Sequence, residues 1–155
     1  MKTNAMRLLE ELKIDFRVAS YLVDEKHLDA LSVAKMINLE SFQVYKTIVC
    51  RSDSGQVFLF LVPGPLRIDL KAASRLSGSK KIFLVEGDEL RSLTGYIRGG
   101  VSPLAMRRVY PLFLDRKAQL LDTIAVSGGV RGIQLLLSPG DLLAATGGIY
   151  GDFST

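Results

Sequence analysis

Apolar residues recur along this chain with two different periods, and the switches between them mark out its elements. Ala5, Leu8, Leu9 and Leu12 stand at i, i+3, i+4 and i+7. That is the stripe of a helix burying one face, so a first helix is expected from Thr3 or Asn4, either a suitable cap, to Leu12. Ala30, Val33, Ala34 and Ile37 repeat the spacing, and between the two stripes Phe16 to Val23 alternates as a strand would. Val44 to Arg51 and Gln56 to Val62 are stronger strand segments, and the turn residues Ser52-Asp53-Ser54-Gly55 between them predict an antiparallel hairpin. Asp69 is placed to cap a short helix reaching Leu76, Lys81 to Val85 reads as a strand, and Asp88 to Leu93 as a short helix closed by Gly95. Further strands are expected at Val109 to Leu114, Thr123 to Val126 and Ile133 to Leu137, and Ser138-Pro139 opens a last helix that Gly147-Gly148 ends. Hairpins mixed with short helices favour an α+β domain with a curved or partly closed mixed sheet over a doubly wound parallel one.

Composition narrows the class. The chain has 155 residues, of which 48% are hydrophobic and 23% charged, with no internal repeat and no Pro/Ser-rich linker, so a single domain over residues 1–155 is expected. The longest apolar run, Val57 to Val62, is far short of the roughly 18 residues of a spanning helix. Lys2, Arg7, Glu10 and Glu11 occupy the stretch where a signal peptide is apolar. A cytoplasmic protein without membrane association, monomeric or weakly dimeric, is the expectation. Cys50 is the only cysteine and His27 the only histidine, so neither a disulfide nor a zinc-type cluster can form within the chain, and no metal or other cofactor is expected.

The net charge of +4 is small but unevenly spread. Residues 67–81 hold Arg67, Lys71, Arg75, Lys80 and Lys81 against Asp69 alone, and residues 98–131 hold Arg98, Arg107, Arg108, Arg116, Lys117 and Arg131 against Asp115 and Asp122. Such concentration suits a surface that receives a polyanion, although charged helix and turn positions also cluster by chance.

Ten of the 14 glycines follow position 94, concentrated in Gly95-Tyr96-Ile97-Arg98-Gly99-Gly100-Val101-Ser102-Pro103 and Ser127-Gly128-Gly129-Val130-Arg131-Gly132. Neither segment has the spacing of a Walker loop or a dinucleotide fingerprint. Residues 99–102 offer a row of backbone N–H groups fit for an oxyanion hole or anion nest, or else a tight turn. Lys46 shares a strand face with Ile48 and Cys50, so it either snorkels at the strand end or points its ammonium into a partly dry cavity. Cys50 on that face reads as a small buried hydrophobe, and His27, within Asp24-Glu25-Lys26-His27-Leu28-Asp29, as a surface histidine. Asp69, Glu86, Asp88 and Glu89 are explained as caps and first-turn acids.

Taken together, the opening helix Thr3 to Leu9, Tyr45-Lys46-Thr47, Asp69-Leu70-Lys71, Leu93-Thr94-Gly95-Tyr96 with Gly99-Gly100-Val101-Ser102-Pro103, and Val126-Ser127-Gly128-Gly129 with Arg131-Gly132 resemble the YbaK/prolyl-tRNA-synthetase-associated editing domain family over nearly the whole chain. The resemblance implies that family's α+β fold and a metal-independent hydrolase. Its reaction would be cleavage of the ester that joins a wrong amino acid to tRNA, most readily Cys-tRNA(Pro) or another mischarged tRNA(Pro). By resemblance Lys46 is the active-site lysine, with Gly99, Gly100 and Ser102 forming the glycine loop beside the ester. Tyr21, Thr47 and Gln134 are the expected substrate contacts, and Arg98, Arg107, Arg108 and Arg131 the expected tRNA contacts. The implied partners are the acceptor end of aminoacyl-tRNA and prolyl-tRNA synthetase. The chain departs from the family pattern after Arg131-Gly132, where Gln134 and Leu136 stand in place of acidic residues, and after Ser102-Pro103, where Ala105-Met106-Arg107-Arg108 keeps the basic pair. The alternative is a non-catalytic tRNA- or nucleotide-binding module on the same fold.

Overall fold

The computed structural model describes all residues 1–155. Its strands are β1 (Arg17–Ser20), β2 (Tyr45–Ser52), β3 (Val57–Pro63), β4 (Ile82–Leu84), β5 (Leu112–Asp115), β6 (Ile124–Ser127), β7 (Ile133–Leu137) and β8 (Ile149–Gly151). Its helices are α1 (Asn4–Glu11), α2 (Ala30–Met36), α3 (Leu70–Ser77), α4 (Asp88–Thr94) and α5 (Pro139–Thr146), with 3-10 turns at Ser41–Gln43 and Arg116–Leu120. The caps follow from short polar side chains that satisfy the free N–H groups of a first turn. Thr3 accepts from the Met6 N–H, Asp69 from Lys71 and Ala72, and Ser138 from Asp141. Gly78, Gly95 and Gly147 end α3, α4 and α5 in the left-handed conformation.

The strands form two sheets. One is mixed, with order β4-β2-β3-β5-β8: the β2–β3 hairpin and β2–β4 are antiparallel, whereas β3–β5 and β5–β8 are parallel. The other is antiparallel, with order β1-β7-β6. A parallel bridge between Val44 and Ala125 joins them, so the expected curvature takes the form of two sheets meeting at one seam rather than a closed barrel. The main core fills the space between, where Leu59, Leu61, Leu112 and Leu114 of the mixed sheet meet Ile124, Val126, Leu135 and Leu137 of the other, closed by Leu9 of α1 and Leu142 of α5. On the outer face of the mixed sheet α3 covers Cys50, Phe58, Phe60, Val62, Phe113 and Phe153, and α2 covers Val44, Ala125 and Leu136 beside it.

Three expectations need correction. The strand from Phe16 ends at Ser20: the Tyr21 N–H still reaches the Gly132 carbonyl, but Leu22 and Val23 turn out to solvent. The strand foreseen from Val109 begins at Leu112, because Val109 is 93% exposed and Pro111 has no N–H to donate. In α1 the helix stops at Glu11, which leaves Leu12 exposed.

Candidate active site

Lys46 stands at the seam. Alternation along β2 and the residue before it places Val44, Lys46, Ile48 and Cys50 on the outer face, and Val44, just ahead of β2, is bridged to Ala125 of β6. Two residues further along both strands, Lys46 and Ser127 occupy the same face as the two strands part. Ser127 pairs with Gln134 across β6–β7, and Gln134 pairs with Ala19 across β7–β1. Directly paired residues share a face. A row thus runs Lys46, Ser127, Gln134, Ala19 across the seam, and Tyr21, two beyond Ala19 and still bonded to Gly132, lies on its flank. Gln134 is 6% exposed and its Oε1 has no partner, an acceptor left open in the floor.

The half-buried Lys46 ammonium donates to the Gly64 carbonyl at 3.2 Å. Glycine suits position 64, since a Cβ there would be crowded at 3.0 Å from the Ser41 carbonyl oxygen and 3.2 Å from Ala30. Burial, and next the neighbouring Arg67 charge, lower the Lys46 pKa, while the Asp29 carboxylate opposes them. Asp29 caps α2 by accepting from the Ser32 N–H and hydroxyl, and the hydroxyl bond above all keeps its pKa low. Gly64 is absent from the sequence reading, and Arg67, Asp29 and Ser127 enter it only within the basic segment, the His27 loop and the second glycine segment, not as residues of the site. The signal that could have found Gly64 is the Pro63-Gly64-Pro65 turn that follows β3.

The two glycine segments, far apart in sequence, interlock. A Cβ on Gly100 would meet the Arg131 N and Val130 carbonyl carbon at 3.2 Å, and one on Gly129 would meet the Tyr96 ring at 3.1 Å. The Arg131 Nε donates to the Arg98 carbonyl at 2.9 Å, and the Tyr96 hydroxyl ties the loop down by donating to the Leu104 carbonyl at 2.6 Å. Gly99 has φ +86° and a Cβ position 3.4 Å from Leu28, and two residues further on Ala30 packs 3.2 Å from the Cβ position of Gly64, the anchor of Lys46. Residues 28–30 therefore bridge the glycine loop and the lysine.

Not every residue of that loop presents a donor. Gly100 is buried and its N–H already bonds the Ile97 carbonyl in a turn, and its φ is not positive. Ser102 is wholly buried, with its hydroxyl accepting from the Leu104 N–H. The N–H groups of Gly99, Val101 and Ser102 have no acceptor within the chain; Gly99 and Val101 are partly exposed, whereas Ser102 is buried. Thr47 is not brought to Lys46: alternation sends it to the opposite face, opposite Leu61, where its hydroxyl is buried without a partner. Cys50 is fully buried, which pushes its thiol up to about 12, and His27 is exposed on Asp24 at 2.7 Å. Neither the Cys50 thiol nor the His27 ring is available to the lysine as nucleophile or base, and the hydroxyl next to it in the row, Ser127, accepts from the Gly129 N–H at 3.2 Å.

Residues 24–145 match the aminoacyl-tRNA editing domain family. The chain is 36% identical over 154 residues, 99% of its length and 94% of the relative's, to the EbsC protein of Enterococcus faecalis, named as a candidate Cys-tRNA(Pro)/Cys-tRNA(Cys) deacylase. The chain belongs to the aminoacyl-tRNA editing domain family. Among solved structures, a protein described as a candidate trans-editing enzyme for prolyl-tRNA synthetase is 28% identical with TM-score 0.86, covering 100% of this chain and 99% of that one. A hypothetical protein, 24% identical with TM-score 0.88 over 96% and 97% of the two chains, shares the fold. In this editing domain, Arg98 and Arg131 flank Gly99 beside the seam. Arg107 instead folds over Gly95 at the end of α4, and Arg108 lines a cavity of about 260 Å³ with Leu8, Leu59, Met106 and Leu112. Leu59 and Leu112 belong to the inner face of the mixed sheet, so that cavity opens away from Lys46. No helix is long and apolar enough to cross a membrane.

Proposed function

We propose that this editing domain removes a mischarged amino acid, cysteine on tRNA(Pro) first among the candidates, by metal-independent hydrolysis of the aminoacyl ester, on substrate made by prolyl-tRNA synthetase. The observation that carries the reading is Lys46: an ammonium anchored on Gly64, at a floor with one open acceptor on Gln134 and with the Gly99 and Val101 N–H groups across the Leu28–Ala30 bridge. Ester hydrolysis passes through a tetrahedral intermediate whose carbonyl oxygen becomes an oxyanion, and fixed donors aimed at that oxygen lower the barrier. Water, positioned by a group of the substrate, adds to the carbonyl carbon and gives up a proton. The bond to the ribose oxygen then breaks, and that oxygen leaves with a proton as the terminal hydroxyl of tRNA. Lys46 and the loop N–H groups hold the negative charge, and positioning supplies the rest. Gln134 Oε1 accepts from a donor on the amino acid, in agreement with its lack of any other partner.

The test is a panel of Cys-, Ala- and Ser-tRNA(Pro), with protein treated beforehand with a chelator. Turnover of at least one is expected, and Lys46→Ala should lower kcat by about 100-fold or more with little change in melting temperature, as loss of one oxyanion donor does. Tight, salt-dependent binding with no turnover of any of them would make the chain the non-catalytic module instead.

A further inference from the structure

A second cavity, of about 300 Å³, lies on the same outer face as Lys46 and is lined by Ala72, Arg75, Leu76, Arg116, Gly151 and Asp152. Its floor is set by Gly151, which packs against the Leu76 side chain so closely that a Cβ there would push the end of that side chain aside. Its rim carries two guanidiniums with one counter-charge: Arg116 Nε meets Asp152 at 3.2 Å, and Arg75 has no ion-pair or hydrogen-bond partner. The segment that follows Asp152 leads from the cavity to Arg67. From Asp152 the chain runs to Phe153, whose carbonyl accepts from the Asp69 N–H, and to Thr155, which exchanges two hydrogen bonds with Arg67 at 2.9 and 2.8 Å. Arg67 is the residue whose charge bears on Lys46. Arg67 before α3, then Lys71 and Arg75 one turn apart on it, thus lead from beside the lysine to the cavity rim, where Arg116 stands.

We infer that this cavity is a phosphate anchor for the RNA backbone of the substrate, with Arg75 and Arg116 as its two prongs and Asp152 as an internal counter-ion that a phosphate displaces. The inference rests on the proposed aminoacyl-tRNA substrate. Guanidiniums suit a phosphate diester because they offer paired N–H groups in a planar fork. A lone free Arg75 beside a half-neutralised Arg116 is poised for one more anion. The path also gives a use to Lys71 and Arg75 of the basic segment at residues 67–81, of which the seam itself engages only Arg67.

The experiment measures binding of uncharged tRNA to the full chain by fluorescence anisotropy across a salt series. Each phosphate contact contributes about 0.7–0.9 to the slope of log K against log salt. The Arg75→Ala, Arg116→Ala double variant should weaken binding roughly fivefold or more and flatten the slope by about one. Asp152→Asn should act in the opposite direction, tightening binding and steepening the slope, which no loss of fold would imitate. An unchanged slope in the double variant, melting like the parent, overturns the anchor, as does weaker binding by Asp152→Asn. Inorganic phosphate should compete only in the millimolar range, and micromolar competition would make this a small-anion site and overturn the RNA assignment. Ester turnover by the parent is scored separately. Turnover with an unchanged slope removes the anchor alone, whereas a flattened slope without turnover keeps the anchor and removes the hydrolase.

Discussion

Lys46 shows how a single residue is read differently once its neighbours are known. Alternation in the sequence placed it on an apolar face and left open whether it snorkels or points inward, because a strand pattern does not say where the sheet ends. The structure ends the sheet's outer face at that point, with Gly64 supplying an acceptor and with Arg67 and Asp29 on either side of the charge balance. The consequence is a pH dependence with a definite sign. The folded-state pKa lies below the ordinary lysine value of 10.5, first because of burial and then because of Arg67. Deacylation, after subtraction of the hydroxide-driven background, should therefore fall as pH rises through a midpoint below 10.5. Arg67→Ala should move that midpoint up, and Asp29→Asn, which keeps a capping side chain, should move it down. Stability should run the other way in the same window, since between the folded pKa and 10.5 the unfolded chain holds more protons and folding gains as pH rises. Below both values Lys46 contributes no slope. A midpoint that ignores both neighbours would mean the ammonium is not the group that activity titrates.

At the scale of elements, local chemistry and long-range contact were legible to different degrees. The caps at Thr3, Asp69 and Ser138, the glycine stops at Gly95 and Gly147, and the β2–β3 hairpin are decided within a few residues, and they stand where the pattern placed them. Strand β8 escaped notice because three residues, Ile149 to Gly151, become a strand only through parallel pairing with β5, more than 30 residues away. The glycine loops were visible as loops, but nothing in either segment announces that each is the other's packing partner. Their interlock makes a prediction. Gly100→Ala puts a methyl 3.2 Å from the backbone of Val130 and Arg131, and backbone cannot step aside as a flexible side chain does. It should cost roughly 1–3 kcal/mol in urea unfolding and lower kcat/KM by prying the loops apart, although φ at Gly100 itself is unremarkable. Gly140→Ala, inside α5 with nothing within 4 Å of its Cβ, should be neutral or stabilise by about 0.4–1 kcal/mol. Equal effects from the two substitutions would mean that the loops do not bear on one another.

The whole molecule raises the question of whether two sheets joined at one bridge behave as one body. Hydrogen bonding alone suggests not: apart from Val44 and Ala125, no backbone pairing ties the mixed sheet to β1-β7-β6. Packing argues the reverse. The main core takes Leu59, Leu61 and Leu114 from one sheet and Ile124, Val126 and Leu135 from the other, with α1 and α5 closing its sides, so neither sheet can shed its partner without exposing the inner faces of both. Each buried leucine contributes about 1.5–3 kcal/mol through removal from water, whereas a net hydrogen bond contributes nearer 1. The hydrophobic term therefore decides, and the 155 residues should unfold in a single transition, with circular dichroism and tyrosine fluorescence giving coincident urea curves. Leu135 and Leu61 lie on different sheets and are both fully buried, so either one changed to Ala should lose about 2–5 kcal/mol and shift the same single transition. Native-state hydrogen exchange sharpens the test, because β7 and β3 amides should open with nearly equal free energies in the parent and fall together in both variants. If Leu135→Ala loosened β6 and β7 while leaving β3 at its parental protection, the seam would be a hinge. Lys46 and Gln134, which sit on opposite sides of it, would then be brought into register only in one of its positions.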